Sequence, residues 1–432
     1  MSAASSPNSF PALARREVWG LGLLFGALYF IQGIAEPTEG LITQPVRSWL
    51  KNWNFSAEQI TLFLGLLALP WAIEPLFGLL SDLLPLRGSR RRSYLILSSA
   101  VSTAGLGYLA FHPPGPDDVV GFFLLLFLVT TGVAFSDVVA DALMIEKGQP
   151  RRITGVLQSV QWAAMYTAMI LTGYLGGYLT QHNLHRVSFL MCAAFMAITL
   201  FLTLAFVRED RPVAPPDAAG TLRALWGCAK SPVLLAVAAF LFLWNFNPYS
   251  SGVLYLYMTG PMGFSEQFYG QTNSMLAVGS VAGSVAYGFY CRHITFHWLL
   301  HASIVTGILN TLAYWWLDGP QSATIVSLTV GLTYMTGSLI QLDLAARVCP
   351  PALAGTLFAA MMALSNLSLS LATMLGGSLY DLWRPAWGDR GAFDVLVGLG
   401  ALFTAGCWLL VPVLRQHQTS LAVPMAASDG DN

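Results

Sequence analysis

The chain has 432 residues, of which 55% are hydrophobic and only 10% charged, where soluble domains carry about 25% charged residues. That balance excludes an ordinary soluble globular protein and marks an integral membrane protein. The net charge of -1 says little about partners, because the charges are sorted by side rather than averaged.

Apolar runs of about 20 residues, long enough to cross a bilayer as helices, fall near 18–44, 57–80, 94–112, 119–145, 153–180, 187–207, 232–258, 266–290, 298–317, 322–346, 354–379 and 391–414. They predict an all-α membrane protein of twelve transmembrane helices in two six-helix halves. The halves are 18–207 and 232–414, flanked by a tail at 1–17, a linker at 208–231 with a short basic turn, and a polar tail at 415–432. Among the 21 Lys and Arg residues, only Arg47, Lys51, Arg186, Arg384 and Arg390 fall on one side of this topology. The excess on the other side puts both termini and the linker in the cytoplasm of a cell (inner) membrane. Residues 1–14 have no basic start, so no cleaved signal peptide is expected. The five cysteines show no paired spacing, and free thiols are expected.

The first run contains Tyr29-Phe-Ile-Gln-Gly33 and then Glu36-Pro-Thr-Glu-Gly40. Pro37 cannot donate to the Gly33 carbonyl, so the helix is expected to open or bend there. Pro248, after Trp244, Asn245 and Asn247, breaks the seventh run in the same way. Interruptions at corresponding places in two halves point to a transporter's binding cavity; the alternative is a plain packing kink. Glu36 and Glu39 flank the first break, as cavity groups or as solvated groups of its mouth. Thr43–Asn54, with Trp49 and Trp53 beside Arg47 and Lys51, looks like an interfacial turn. Ser56 and Gln59 form a capping-box pattern ahead of the second helix, with Glu58 in its first turn.

A duplication organises the two halves. Pro150, Gly155, Gly176 and Gly177 correspond to Pro350, Gly355, Gly376 and Gly377, exactly 200 positions on, and FSAEQI at 55–60 matches FSEQF at 264–268. In that register Asp141 faces Gln341. A parallel repeat of this kind is what large secondary transporters show.

Gly78, Asp82, Arg87, Gly88 and Arg90, Arg91 and Arg92 resemble the cytoplasmic signature of the major facilitator superfamily between helices two and three. The plain alternative is a topogenic positive loop. A narrower resemblance follows. YFIQG at 29–33, LPW at 69–71, GLLSD at 78–82, RRRSYL at 90–95, and Asp137 with Asp141 followed by Gln158 and Gly176-Gly177 together look like the folate-biopterin transporter family. The resemblance implies a facilitator fold and proton-coupled uptake of folates or pterins. Glu74 departs from it, since a lysine usually stands between LPW and the following proline in that family, and the reversed charge opposes an anionic substrate.

Asp137 and Asp141, four apart, share a face of an otherwise apolar helix. Three readings stay open for them: an inner-gate network with Arg90–Arg92, Arg151 and Arg152; a proton- or substrate-binding role; or a purely structural bond. Asp343 and Arg347 most simply pair across one turn. Gln158, Trp162 and Tyr166 lie on one face at steps of four, an arrangement suited either to a flat heteroaromatic ligand or to packing. A pterin ring offers an amino group beside a ring N–H, which a carboxylate accepts in bidentate fashion; Glu36, Glu74 and Asp137, with Gln32, are the candidates. No enzymatic motif is present. The pairs His182/His185 and His293/His297 lack further ligands, and no metal or other cofactor is expected. The working expectation is a monomeric proton-linked transporter with a small-molecule substrate and no nucleic-acid partner. The alternatives are a facilitator for another metabolite and a non-transporting receptor or scaffold.

Overall fold

In the computed structural model the described residues are 12–151, 153–209, 230–250, 252–290, 293–349 and 354–414. The expectations placed on Arg152, most of the 208–231 linker, Pro350, residues 1–11 and the tail at 415–432 lie outside them, while residues 12–17, expected in the first tail, already belong to the first helix. Among the described residues the secondary structure is helical apart from one isolated bridge, Leu86 with Ser89. That bridge closes the turn after the second span, where Arg87 and Gly88 take φ of 53° and 80°.

The elements in chain order are α1 (Ala12–Ala35), α2 (Thr43–Asn52), α3 (Ala57–Leu67), α4 (Leu69–Ala72), α5 (Glu74–Leu83), α6 (Arg92–Phe111), α7 (Val119–Gly148), α8 (Thr154–Gln181) and α9 (His185–Phe206). After the linker come α10 (Pro232–Asn245), α11 (Gly252–Thr259), α12 (Glu266–Tyr290), α13 (Phe296–Ala313), α14 (Pro320–Val348) and α15 (Ala354–Gly406). Among the described residues six helical segments are long and apolar enough to cross a membrane. α3 and α10 are apolar but short because the chain is interrupted after them, whereas α8 and α12 are long and unbroken but too polar on average to count by that measure.

Both expected proline breaks occur. α1 ends at Ala35 rather than running to residue 44, and α10 ends at Asn245 with α11 resuming at Gly252. The second run, expected to be one helix, is three: α4 and α5 each restart on a proline at their first turn, Pro70 and Pro75. The eleventh helix runs beyond its expected end, and α15 turns at Gly388, whose φ of 69° and ψ of 173° are not helical. The capping box forms, with Ser56 accepting from the Gln59 N–H at 3.2 Å and Gln59 accepting from the Ser56 N–H at 2.9 Å.

Thr43–Asn54 is corrected by the structure. α2 is a buried helix, with Val46 and Leu50 fully enclosed and Arg47 7% exposed. Trp49 stacks on Phe189 at 5.3 Å. Arg47 and Lys51, which suggest an interface by composition, instead find partners more than 200 positions away in the chain.

The glycine pairs show what the duplication builds. A Cβ on Gly177 would fall 2.9 Å from the Glu266 oxygen and 3.0 Å from Gly270 Cα, so α8 and α12 cross with their backbones in contact. A Cβ on Gly377 would fall 2.8 Å from the Ala57 carbonyl carbon, at the equivalent place on α3. Gly176 lies against Leu41, in the first break, and Gly376 against Pro248, in the second. Each glycine pair thus abuts the copy of the FS-E-Q repeat belonging to the other part of the chain.

Candidate functional site

A cavity of about 280 Å³ lies where the two breaks meet. The first break and α2 supply Thr38, Glu39, Gln44 and Arg47; the second supplies Trp244, Asn245, Asn247 and Tyr249. α12, α13 and α14 complete it with Asn273, Asn310 and Tyr334. A helix interruption places backbone and short polar side chains at membrane depth, which is tolerated where they line a cavity.

One end of the cavity is closed by polar bonds between distant parts of the chain. Gln44 donates to the Glu266 carbonyl at 2.6 Å and its carboxylate at 2.8 Å; Arg47 donates to the Tyr269 hydroxyl at 3.1 Å and lies over the Tyr255 ring. Lys51 donates to the Thr259 carbonyl at 2.8 Å.

Of the residues singled out in the sequence, Glu39, Trp244, Asn245 and Asn247 line this cavity. Trp244 is held by the Ser303 carbonyl at 3.2 Å and by the Tyr334 ring at 5.3 Å. The Asn245 amide donates to Gln341 at 3.1 Å, and Asn247 accepts from Thr311 at 3.5 Å. Glu36 does not line the cavity and is not solvated. Its carboxylate accepts from the N–H and hydroxyl of Thr38, the N–H of Glu39 and, at 3.2 Å, the Trp71 indole. It satisfies N–H groups that the break leaves without helical partners.

The other acids gather beside the cavity, between α1, α5, α7 and α8. Gln32 donates to Asp137 at 2.7 Å; Tyr29 donates to Asp141, which also accepts from Gln161 at 3.0 Å. Glu74 interacts electrostatically with both aspartates. Asn366 on α15 donates to the Trp71 carbonyl at 3.1 Å and to Glu74 at 3.4 Å. Gln158 and Trp162 are exposed, while Tyr166 stacks against Trp162 at 6.0 Å and turns its hydroxyl to Met335. The heteroaromatic face imagined for that helix is therefore separate from the cavity walls.

The basic end is built differently from the expectation. Arg91, 6% exposed, bonds Asp82 at 2.6 Å, Glu146 at 2.9 Å and the Ser81 hydroxyl at 2.6 Å. Asp141 is not part of this network. It lies five positions before Glu146, about 7 Å along the helix and well round its circumference, so it faces α1 and α8 instead. Arg151 pairs with Glu17, and Asp343 pairs with Arg347 at 2.9 Å as expected. Glu209, which the sequence did not single out, accepts from the Ser89 hydroxyl at 2.5 Å and from the N–H groups of Arg90, Arg91 and Arg92, capping α6. Partial burial works against its charge, but these four bonds outweigh it and hold the carboxyl below its ordinary value.

This architecture of broken helices around a cavity has known relatives. A sequence profile of the BT1 family matches residues 32–317. A folate-biopterin transporter of Synechocystis sp. is 30% identical over 396 residues, covering 86% of this chain and 76% of the relative. The chain belongs to the BT1 family, the folate-biopterin transporters. A probable folate-biopterin transporter 4 of Arabidopsis thaliana is 24% identical, covering 92% of this chain and 95% of its own length. In solved structures the fold matches the nucleoside transporter NupG (D323A mutant) with a TM-score of 0.70 at 13% identity over 92% of this chain and 99% of that one. A D-xylose-proton symporter matches with a TM-score of 0.67 at 15% identity over 91% and 98%. The fold is therefore of the major facilitator type, and the protein is a multi-pass membrane transporter, not an enzyme.

Proposed function

We propose that this transporter imports a pterin or folate-like molecule together with protons, by alternating access between two six-helix halves. Twelve spans result when α1 is joined to α2, α3 to α5 and α10 to α11, with the two arms of α15 counted separately. The halves are 18–207 and 232–414, and the Lys and Arg asymmetry puts the linker and both termini in the cytoplasm of the cell (inner) membrane. On that orientation the Gln44, Arg47 and Lys51 bonds close the outer mouth. Substrate, protons and the bilayer are the partners, and the monomer suffices.

The observation that carries this reading is the meeting of both helix breaks at one cavity, with Glu74, Asp137 and Asp141 beside it. Acids at membrane depth mark proton paths. The Glu74–Asn366 bond joins that acid group to α15 in the other half, so neutralising Glu74 changes a contact between the halves. A proton and a rocking motion are thereby linked through named atoms.

The test is uptake of labelled biopterin and folate into proteoliposomes with and without an inward proton gradient. Gradient-driven accumulation by the native protein, lost in Asp141→Asn while substrate exchange without a gradient persists, supports proton symport. Accumulation that ignores the gradient would remove the coupling, and no uptake by folded protein would remove the substrate class. A second reading, transport of another small metabolite, is favoured by one observation, Glu74 where the family carries a lysine. A ligand outside the pterins that raises the melting temperature more than biopterin does would select it.

A further inference from the structure

The cavity contains one acid and a set of amides whose polar atoms are not consumed by the protein. Glu39 presents its carboxylate to the cavity, and it accepts no hydrogen bond among the described residues; Arg47, Glu36 and Tyr334 interact with it electrostatically. Asn273 makes no hydrogen bond among the described residues, and the Asn310 amide nitrogen is buried with no acceptor, its oxygen being taken by Thr333. Buried polar groups are normally paired. The buried Asn310 nitrogen is the exception to that rule, and together with the exposed Glu39 carboxylate and the half-buried Asn273 amide on the same cavity it describes the complement of a ligand.

The walls narrow the chemistry. Tyr334, 39% exposed, gives a flat face that suits a planar ring, and the buried Trp244 backs it at 5.3 Å. A carboxylate facing that ring's edge is best met by two adjacent donors, as an amino group beside a ring N–H provides. The amide nitrogens of Asn273 and Asn310 on the same cavity can donate to carbonyl and ring-nitrogen acceptors. Arg47, the cation of this wall, is already committed to the Tyr269 hydroxyl and the Tyr255 ring. Glu39 then opposes any carboxylate tail. A volume of about 280 Å³ sits at the bottom of the usual ligand-site range of ~300–1,000 Å³, which fits a bicyclic ring better than a ring extended by aminobenzoyl-glutamate.

We propose that Glu39 is the specificity-determining residue of this cavity, accepting the paired N–H groups of a 2-amino-4-oxopyrimidine fused to a second ring, and that the transporter takes an unconjugated pterin in preference to folate. Asn273 and Asn310 meet that ring's acceptors. The inference rests on the pterin or folate reading above and adds which residue reads the ring and which of the two ligand types is preferred. A guanine base carries the same donor edge, so the experiment must separate the two sources.

The experiment is equilibrium binding to the purified full chain in nanodiscs, followed by tryptophan fluorescence, for biopterin, folate, guanine and lumazine, whose 2-position bears a carbonyl in place of the amino group. Native protein is expected to bind biopterin at least tenfold more tightly than folate and more tightly than guanine. In Glu39→Gln the biopterin affinity falls at least tenfold while lumazine tightens, because the new amide donates to the 2-carbonyl that the carboxylate repels. Asn273→Ala weakens biopterin and lumazine alike and leaves their ratio as in the native protein. Thermal unfolding of each variant shows that it is folded. If biopterin and folate both bind but Glu39→Gln leaves the biopterin-to-lumazine ratio unchanged, or folate binds as tightly as biopterin, this inference fails and the transport reading stands. Guanine binding tightest overturns the pterin assignment, and no binding by pterin or folate to folded protein removes both.

Discussion

The segments before residue 207 and after residue 232 are copies by their glycines but not by their charges. In the first, α7 presents Asp137 and Asp141 to Gln32 and Tyr29 on α1. In the second, α14 presents Gln341 to Asn245 on α10 at 3.1 Å, the register that sets Asp141 against Gln341. The same helix pair is thus bonded through acids on one side and through neutral amides on the other. Packing tolerates either, since both make the bond. Only the acid changes charge with pH, so under the proposed proton coupling the first copy would carry the proton and the neutral amides of the second would not, while Glu39 is the one acid among the described residues of the cavity wall.

The comparison is broken most directly at Asp141. Asp141→Asn keeps the bonds from Tyr29 and Gln161 within reach of the new side-chain oxygen while removing the titrating group. Gradient-driven uptake is expected to fall about a hundredfold, the scale of a lost proton-transfer group, with exchange retained. Gln341→Asn, which shortens the corresponding amide in the second copy without changing its charge, is expected to leave the gradient response intact. An equal loss in both variants, measured in the same proteoliposomes, would mean that the two copies do not divide the work.

The glycine pairs sharpen the other side of the comparison, because there the copies agree. Gly177→Val and Gly377→Val each force a branched side chain into a backbone contact, at α12 and α3 respectively. Overpacking of this kind costs about 1–3 kcal/mol. Both variants are expected to lose similar stability in a detergent melting assay. A loss confined to one would show that only one crossing is tightly closed. Arg91→Leu comes next, at about 2 kcal/mol, because it strands Asp82 and Glu146 on partly exposed surface rather than in the interior.

How much of this was readable from the chain depends on whether a residue's role is local. The breaks at Pro37 and Pro248, the Ser56–Gln59 box and the Asp343–Arg347 pair are set by neighbours within a few positions, and they appear as expected. The glycine contacts were legible through the repeat. Asn273, Asn310 and Tyr334 were not, because each is a single polar residue on a long helix with no motif around it, and only the crossing of α12, α13 and α14 brings them together. α2 misled for the same reason in reverse. Trp49, Trp53, Arg47 and Lys51 have the composition of a membrane interface, yet their partners Phe189, Tyr269 and Thr259 are distant in sequence and bury the helix.

The smallest effect tests a part with no counterpart in the repeat. Glu209, just beyond α9, caps α6 through Ser89 and three backbone N–H groups, tying the start of the central linker to the basic end of the first copy. Its carboxyl is held below the ordinary value because those bonds outweigh its partial burial. A carboxyl depressed in the folded state adds stability above its unfolded value, about 4.3 for a glutamate, and that contribution is lost as pH falls through the lower folded value. Native protein is therefore expected to melt above Glu209→Gln at pH 7, with the two curves converging as the pH is taken below about 4. A gap that stays constant across that range would assign the difference to the shape of the cap rather than its charge. Convergence together with unchanged gradient-driven uptake at pH 7 would separate this anchor from the acids of α7, to which the proposed proton coupling is assigned.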